Sequence, residues 1–177
     1  YRSFVKKNGN KMSLGNPEIK RTGYLKDTHL KPYILVYGED KDNEITKAIW
    51  ASVSGKDVNI KQTESYSELE SYIEMSVLIV LPVLNEMDTV CDIPSKLWSN
   101  PKVVSDIIAI SGDVDLNSRM KILAKGFDIV YSSKVIHRKD FKNSIRNRVK
   151  KCTIRLQSQI QADEYAQLRA ALSASPA

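Results

Sequence analysis

The chain has 177 residues, of which 42% are apolar and 27% charged, a composition typical of a soluble globular protein. This length fits one domain of average size with extensions, and no apolar run reaches the roughly 20 residues of a membrane-spanning helix. Cys91 and Cys152 set no disulfide framework, which favours a reduced, cytoplasmic protein. With only His29 and His137, far apart in the chain, we expect no metal site.

The net charge of +6 is unevenly distributed. Residues 1–32 contain eight Lys and Arg against two acids, residues 33–137 ten against sixteen, and residues 138–155 eight against one. The centre of the chain is therefore acidic and its two flanks are basic. We interpret the basic flanks as solvated arms, or as a helix face that contacts an acidic protein. Contacts of these flanks with nucleic acid or anionic lipid are the less favoured alternative.

Residues 1–32 lack periodicity and carry Asn-Gly and Thr-Gly turn signals, which predicts a mostly irregular basic arm. Five apolar or alternating segments then predict strands: Tyr33–Tyr37, Val58–Thr63, Val77–Leu81, Ile107–Ile110 and Ile129–Tyr131. Helical spacing of apolar residues between them predicts four helices: Glu44–Val53, Tyr66–Glu74, Ile93–Trp98 and Leu116–Lys125. Ser65 is placed to cap the second helix and Gly126 to end the fourth.

This alternation predicts an α/β fold, a five-stranded parallel, doubly wound sheet of the flavodoxin-like type with an extended C-terminal helix. We divide the chain into the arm 1–32, a domain 33–150 and a helical extension 151–177. In such sheets the working residues lie in loops at the carboxyl ends of the strands.

The last segment, residues 140–172, predicts a helix much longer than the sheet below it needs. Its first apolar stripe is expected to pack on the sheet and comprises Phe141, Ile145, Val149, Cys152 and Leu156. Tyr165, Leu168 and Leu172 are expected to continue this stripe less regularly on a projecting part. Such a helix hides its stripe by pairing, so we expect a homodimer through a coiled coil, with folding back onto its own domain as the alternative.

Three segments resemble the receiver domain of two-component response regulators, over residues 33–152. They are Ile34-Leu35-Val36-Tyr37 before an acidic cluster, Asp106-Ile107-Ile108-Ala109-Ile110-Ser111-Gly112, and Ala124-Lys125-Gly126-Phe127-Asp128. The last segment looks like the family's turn into its fifth strand. The order and spacing of the three segments carry the resemblance.

The resemblance implies a phosphorylation site, but this sequence lacks some of the residues that the family has at that site. In receivers two acids after the first strand hold Mg²⁺, an Asp ending the third strand accepts the phosphoryl group, and a Ser or Thr and a Lys contact the phosphate. The acceptor falls on Pro82, or on Leu81 after a one-residue shift, and neither is a nucleophile. The other positions complete a vestigial pocket: Gly38, Glu39 and Asp40 for the acids, Ser111 for the Ser or Thr, and Ser133 with Lys134 for the Lys. With Asp113, Glu39 and Asp40 would attract a cation only weakly, so the resemblance implies no catalytic residue, bound metal or cofactor.

The implied function is that of a pseudoreceiver, a non-phosphorylatable signalling domain that binds a protein partner or dimerises to regulate an output domain. Receivers join outputs through such a last helix in diguanylate cyclases and related cyclic-dinucleotide proteins. The family's contact face, from its fourth helix, fifth strand and fifth helix, maps to Asn117, Met120, Lys121, Tyr131, Arg146 and Lys150. The helix stripe adds Val149, Cys152 and Leu156 as dimer contacts.

Three other functions remain open on the sequence. One is a phosphorylation-responsive receiver with an atypical site. Another is an enzyme or nucleotide-binding protein on the same type of sheet. No Gly-rich phosphate loop follows the first strand, however, and we favour Cys91 as a buried, inert thiol over a reactive one. The third is nucleic-acid binding through the basic flanks, using Arg146, Arg148, Lys150, Lys151 and Arg155.

Overall fold

The computed structural model describes residues 31–53, 57–112 and 114–174. The predicted arm therefore lies almost wholly outside the described residues. All five predicted strands are present: β1 Tyr33–Tyr37, β2 Asn59–Thr63, β3 Ser76–Val83, β4 Asp106–Ser111 and β5 Ile129–Ser132. They form one parallel sheet in the order β2-β1-β3-β4-β5, which confirms the predicted fold class.

Five helices connect and follow the strands: α1 Glu44–Ser52, α2 Tyr66–Tyr72, α3 Ile93–Trp98, α4 Leu116–Leu123 and α5 Lys139–Ala174. Ser65 caps α2 as predicted, because its side chain accepts a hydrogen bond from the backbone N–H of Glu68. Gly126 follows α4 with φ +117°, where a Cβ would stand 3.2 Å from that of Pro94. Glycine allows this close approach of the turn to α3.

Alternate residues of the buried strands point to opposite sides of the sheet and build two cores. On one side, Val36, Val80 and Ile108 pack with α1 and α5. On the other, Leu35, Ile79 and Ile107 pack with α2, α3 and α4. Because both faces are covered, the central strands are apolar runs without polar alternation.

The long last helix has two apolar stripes. Its buried stripe packs on the sheet and comprises Phe141, Ile145, Val149, Cys152, Leu156 and Ile160. Packing therefore continues past residue 150, the predicted end of the domain. A second stripe, exposed, comprises Ile154, Tyr165, Leu168 and Leu172.

At about 100° of rotation per residue, the exposed stripe lies on roughly the opposite side of α5 from the buried one. The expectation that Tyr165, Leu168 and Leu172 continue the buried stripe is therefore wrong. Over 36 residues, α5 is about 54 Å long, well beyond the span of the sheet.

One buried carboxylate ties α5 to the start of β4. Arg148 Nη1 lies 2.7 Å and Lys151 Nζ 2.9 Å from Oδ2 of Asp106, and Arg155 Nη1 lies 3.7 Å from its Oδ1. The Asp106 side chain is 3% exposed. Arg148 also donates from Nε to the hydroxyl of Tyr131 on β5, at 3.2 Å. We call Asp106 with Arg148, Lys151 and Arg155 the Asp106 cluster.

Burial by itself would raise the pKa of Asp106, but the hydrogen bonds from Lys151 and Arg148 lower it below the ordinary 3.8. A carboxylate with a lowered folded-state pKa stabilises the fold above its unfolded pKa, and this contribution is lost as pH falls through the folded pKa. The cluster therefore stabilises the domain at neutral pH and weakens in acid.

Replacing Asp106 with Asn should lower the free energy of unfolding at pH 7 by about 3 kcal/mol, because three cations lose their buried counter-charge. The difference from wild type should narrow as pH falls below about 4, in urea unfolding followed by circular dichroism. Asp92→Asn, at an exposed position, is the control and should change stability by less than about 0.5 kcal/mol. Equal effects of the two variants would contradict a stabilising role for the cluster.

Candidate functional site at the strand ends

The end of β1 places the first predicted pocket residues in a turn that leads to α1. Gly38 has φ +79°, donates its N–H to the carbonyl of Thr63 at 2.8 Å, and accepts at its own carbonyl from Gln62 Nε2 at 3.1 Å. Glu39 is exposed. Gly38 therefore joins β1 to β2 and offers no ligand atom from a side chain.

Asp40 is committed to the start of α1. Its Oδ1 accepts from the backbone N–H of Ile45 at 3.0 Å, and its Oδ2 accepts from the N–H of Thr46 at 2.8 Å and the hydroxyl of Thr46 at 2.6 Å. The side chain thus satisfies N–H groups of the first helical turn, as a capping residue does. Both of its oxygens serve the helix, so the buried acid of this loop is not arranged as a cation ligand.

The end of β3 carries Leu81 and Pro82, whose side chains contain no nucleophile. Leu81 is fully buried, and Pro82 pairs only with Ile110 of β4, because the pairing of β1 with β3 ends at Val80. A proline fits this position since the N–H that it lacks is not needed for a neighbouring strand.

The polar residues of the following loop hold the loop itself. Asp88 accepts from the N–H groups of Leu84 and Val90 at 2.9 and 3.1 Å. The carboxylate of Glu86 is hydrogen-bonded by its own backbone N–H and by Ser118 of α4, and both lower its pKa. Both carboxylates are thus engaged by groups of this loop and of α4.

The ends of β4 and β5 bring the remaining predicted residues to the same edge of the sheet. Ser111 is fully buried, and its hydroxyl has no hydrogen-bond partner among the described residues. A hydroxyl without accessible surface contacts no ligand unless the loops move. Ser133 and Lys134 are exposed in a short 3-10 turn after β5, where the Lys134 N–H donates to the hydroxyl of Ser132 at 3.2 Å.

Parallel topology thus gathers the predicted residues at one sheet edge. In the part of the chain that the structure describes, no group of three or more His, Cys, Asp or Glu side chains is placed to hold a metal ion. Asp113, the third acid considered from the sequence, lies outside the described residues.

Known structures share this arrangement of strands and helices. The signal receiver domain of a DNA-binding response regulator from Colwellia psychrerythraea superposes with a TM-score of 0.52 at 16% identity, over 68% of this chain and 99% of that one. The signal receiver domain of a LuxO repressor protein from Vibrio parahaemolyticus has the same TM-score and identity, over 71% and 95% of the two chains.

A response regulator receiver domain protein from Methanospirillum hungatei gives a TM-score of 0.51 at 16% identity, over 71% of this chain and 98% of that one. The chain has the receiver fold. No protein-family profile and no curated protein matches the sequence. At these identities the likeness confirms the predicted receiver resemblance for the fold alone.

Five of the six predicted contact residues lie on two separate helices. Asn117, Met120 and Lys121 lie exposed on α4, on the side of the sheet opposite α5. Arg146 and Lys150 lie on α5 but face α1, where they line a cavity with Val53. The structure therefore does not bring all six predicted residues of the contact face together.

The other predicted contacts are buried in the domain itself. Tyr131 packs edge-on against Phe141 with ring centroids 4.9 Å apart, and its hydroxyl is hydrogen-bonded to Ser144. Val149, Cys152 and Leu156 belong to the buried stripe. These side chains hold α5 to the sheet, which corrects their assignment as dimer contacts.

Three of the five cations considered for nucleic-acid binding are turned toward Asp106: Arg148, Lys151 and Arg155. Their charge is partly neutralised within the domain, and this disfavours a phosphate-binding face on α5. Among the described residues, no helix combines the length and apolar character needed to cross a membrane.

Both thiols are buried. Burial and, to a smaller extent, the nearby negative charge of Asp88 raise the pKa of the Cys91 thiol. Burial raises the pKa of the Cys152 thiol to about 11. A raised pKa keeps a thiol protonated and unreactive, in agreement with the interpretation of Cys91 as inert.

Asp40→Ala should lower the free energy of unfolding by about 1–2 kcal/mol, because the first turn of α1 loses its cap. Glu39→Ala, at the adjacent exposed acid, should change it by less than about 0.5 kcal/mol. Urea unfolding with and without Mg²⁺ measures both variants. If Mg²⁺ stabilised the wild type and Asp40→Ala abolished that stabilisation, Asp40 would be a cation ligand and not a cap.

Proposed function

We propose that this chain is a receiver-like regulatory domain, not an enzyme, that works without phosphorylation and signals by protein–protein contact. One observation carries the proposal. Leu81 and Pro82 occupy the strand end where a receiver places its phosphoacceptor, and the buried acid of the neighbouring loop, Asp40, caps a helix. A domain with this arrangement cannot store a phosphoryl group at that position, so its signal must enter by another route.

The distal part of α5, residues 161–174, is the proposed output element. It follows Ile160, the last residue of the buried stripe, and is about 20 Å long. Tyr165, Leu168 and Leu172 are 57–67% exposed, and three apolar side chains on one helix face favour a partner. We propose that a continuous helix carries the state of the domain to an output unit joined to α5.

A second copy of the chain is the partner that best fits this face. The intervals from Tyr165 to Leu168 and from Leu168 to Leu172 are three and four residues, the alternation that forms a coiled-coil seam. Ile154, 63% exposed, lies eleven residues before Tyr165 on the same face and extends the seam toward the domain. A symmetric pair would bury identical stripes against each other, as in most homodimers.

The double substitution Leu168→Lys and Leu172→Lys should convert a dimer into a monomer, because it places like charges along the proposed seam. Sedimentation equilibrium over a range of protein concentrations measures the change. Circular dichroism checks that both proteins keep their helical content.

The matched control is Ala166→Lys with Ala170→Lys, which adds the same charge at the same four-residue spacing. Both positions are exposed on the same helix but lie more than about 120° away from the seam. This control should remain dimeric. A wild-type chain that stays monomeric at the highest soluble concentration, or a control that dissociates as fully as the seam variant, would contradict pairing through this stripe.

A further inference from the structure

A cavity of about 490 Å³ lies between α5 and the residues Val53, Asp57 and Val58. It is on the opposite flank of α5 from the Asp106 cluster, since Arg146, Lys150 and Thr153 line it and Arg148, Lys151 and Arg155 do not. Its volume is within the roughly 300–1,000 Å³ of pockets that hold small molecules.

The valines that line the cavity are buried or half-buried, whereas its charged lining residues are exposed. Val53 and Val58 come from the α1–β2 side and Val149 from α5, and all three pack with the core. Ile154, at the α5 wall, keeps 63% of its surface exposed. Because the proposed seam already covers Ile154, the three valines supply the apolar surface that a ligand would cover in this cavity.

The charged groups define which ligand fits. Arg146 and Lys150 stand one helical turn apart on α5, against one carboxylate, Asp57, on the opposite wall. Arg146 donates to the side-chain oxygen of Asn143, a neutral acceptor, at 3.1 Å, and Lys150 forms no salt bridge with any residue that the structure describes. Among the described lining residues, two cations against one acid give a net positive charge, so a single negative charge is favoured there.

We propose that this cavity is a binding site for an amphipathic organic anion, such as a medium-chain carboxylate, with its apolar body on the valines and its head group at Arg146 and Lys150. The site would lie between α1 and α5, so its occupancy would bias the helix that carries the exposed stripe. This regulatory consequence rests on the proposed function, whereas the binding site itself does not.

Decanoate is the probe and decanol its neutral counterpart, both added to the full chain below their aggregation concentrations. Decanoate should shift the amide NMR signals of residues around Val53, Val58 and Val149, and it should bind at least about tenfold more tightly than decanol. Thr153→Phe, which places a ring in the cavity, should abolish the shifts while the circular dichroism spectrum is retained.

Charge-reversal variants separate the head-group site from net charge. Arg146→Glu with Lys150→Glu should weaken decanoate binding at least about tenfold. Arg138→Glu with Lys139→Glu, the same charge change at exposed positions of the same region outside the cavity, should leave it unchanged. Equal binding of decanoate and decanol, equal weakening by both charge variants, or unchanged binding by Thr153→Phe would overturn the proposal.

Sedimentation with and without decanoate distinguishes this site from the dimer seam. In a contrary outcome, decanoate would dissociate the dimer and shift the NMR signals of Tyr165 and Leu168 but not those of Val53. That result would show that the anion competes for the seam, and it would also overturn the proposed cavity site. A dimer that persists with bound decanoate supports the cavity. A failure of dimerisation alone leaves the binding result unaffected.

Discussion

The pairing of Asp106 with Arg148, Lys151 and Arg155 determines how the long helix lies on the sheet. A carboxylate at the start of β4 that is 3% exposed is costly to bury unless cations compensate it. Three cations spaced over two turns of α5 provide that compensation, and only one rotation of the helix brings them to Asp106. This rotation also turns the buried stripe toward the sheet, directs Arg146 and Lys150 toward α1, and leaves Ile154, Tyr165, Leu168 and Leu172 facing away.

The strand ends and the long helix therefore have separate roles in this domain. At the strand ends, polar groups are used for local structure: Asp40 caps α1, Asp88 holds its own loop, and Ser111 is enclosed. On α5, by contrast, exposed apolar and basic side chains remain available to other molecules. A receiver fold whose strand-end polar groups serve local structure, and whose long helix has an open surface, is suited to regulation by binding, which is the basis of the proposed function.

Much of the fold could be predicted from local sequence patterns. The apolar runs Ile34-Leu35-Val36 and Ile107-Ile108-Ala109-Ile110 specify strands buried on both faces, and their alternation with amphipathic segments specifies a parallel sheet. The position of Pro82 near the end of β3 could also be predicted, because it depends on residue identity and strand order alone.

The features that the sequence did not reveal depend on contacts between distant segments. Asp106 and Arg148 are far apart in the chain, so the sequence did not reveal that cations of the basic run pair with a buried carboxylate. Asp40 could not be distinguished from Glu39 as a ligand until the turn before α1 was known. The exposed stripe, however, could have been found from the sequence. At about 100° of rotation per residue, Ile154 lies on the same helix face as Tyr165, Leu168 and Leu172.

The most direct test of the central claim is an amide NMR spectrum of the chain with and without Mg²⁺ and beryllofluoride, a mimic of an acyl phosphate. A closed pocket without an acceptor predicts unchanged signals at Glu39 and Ser111 and an unchanged thermal midpoint. Clear shifts at these residues, together with thermal stabilisation, would show that the domain still binds a phosphoryl group and would contradict the account.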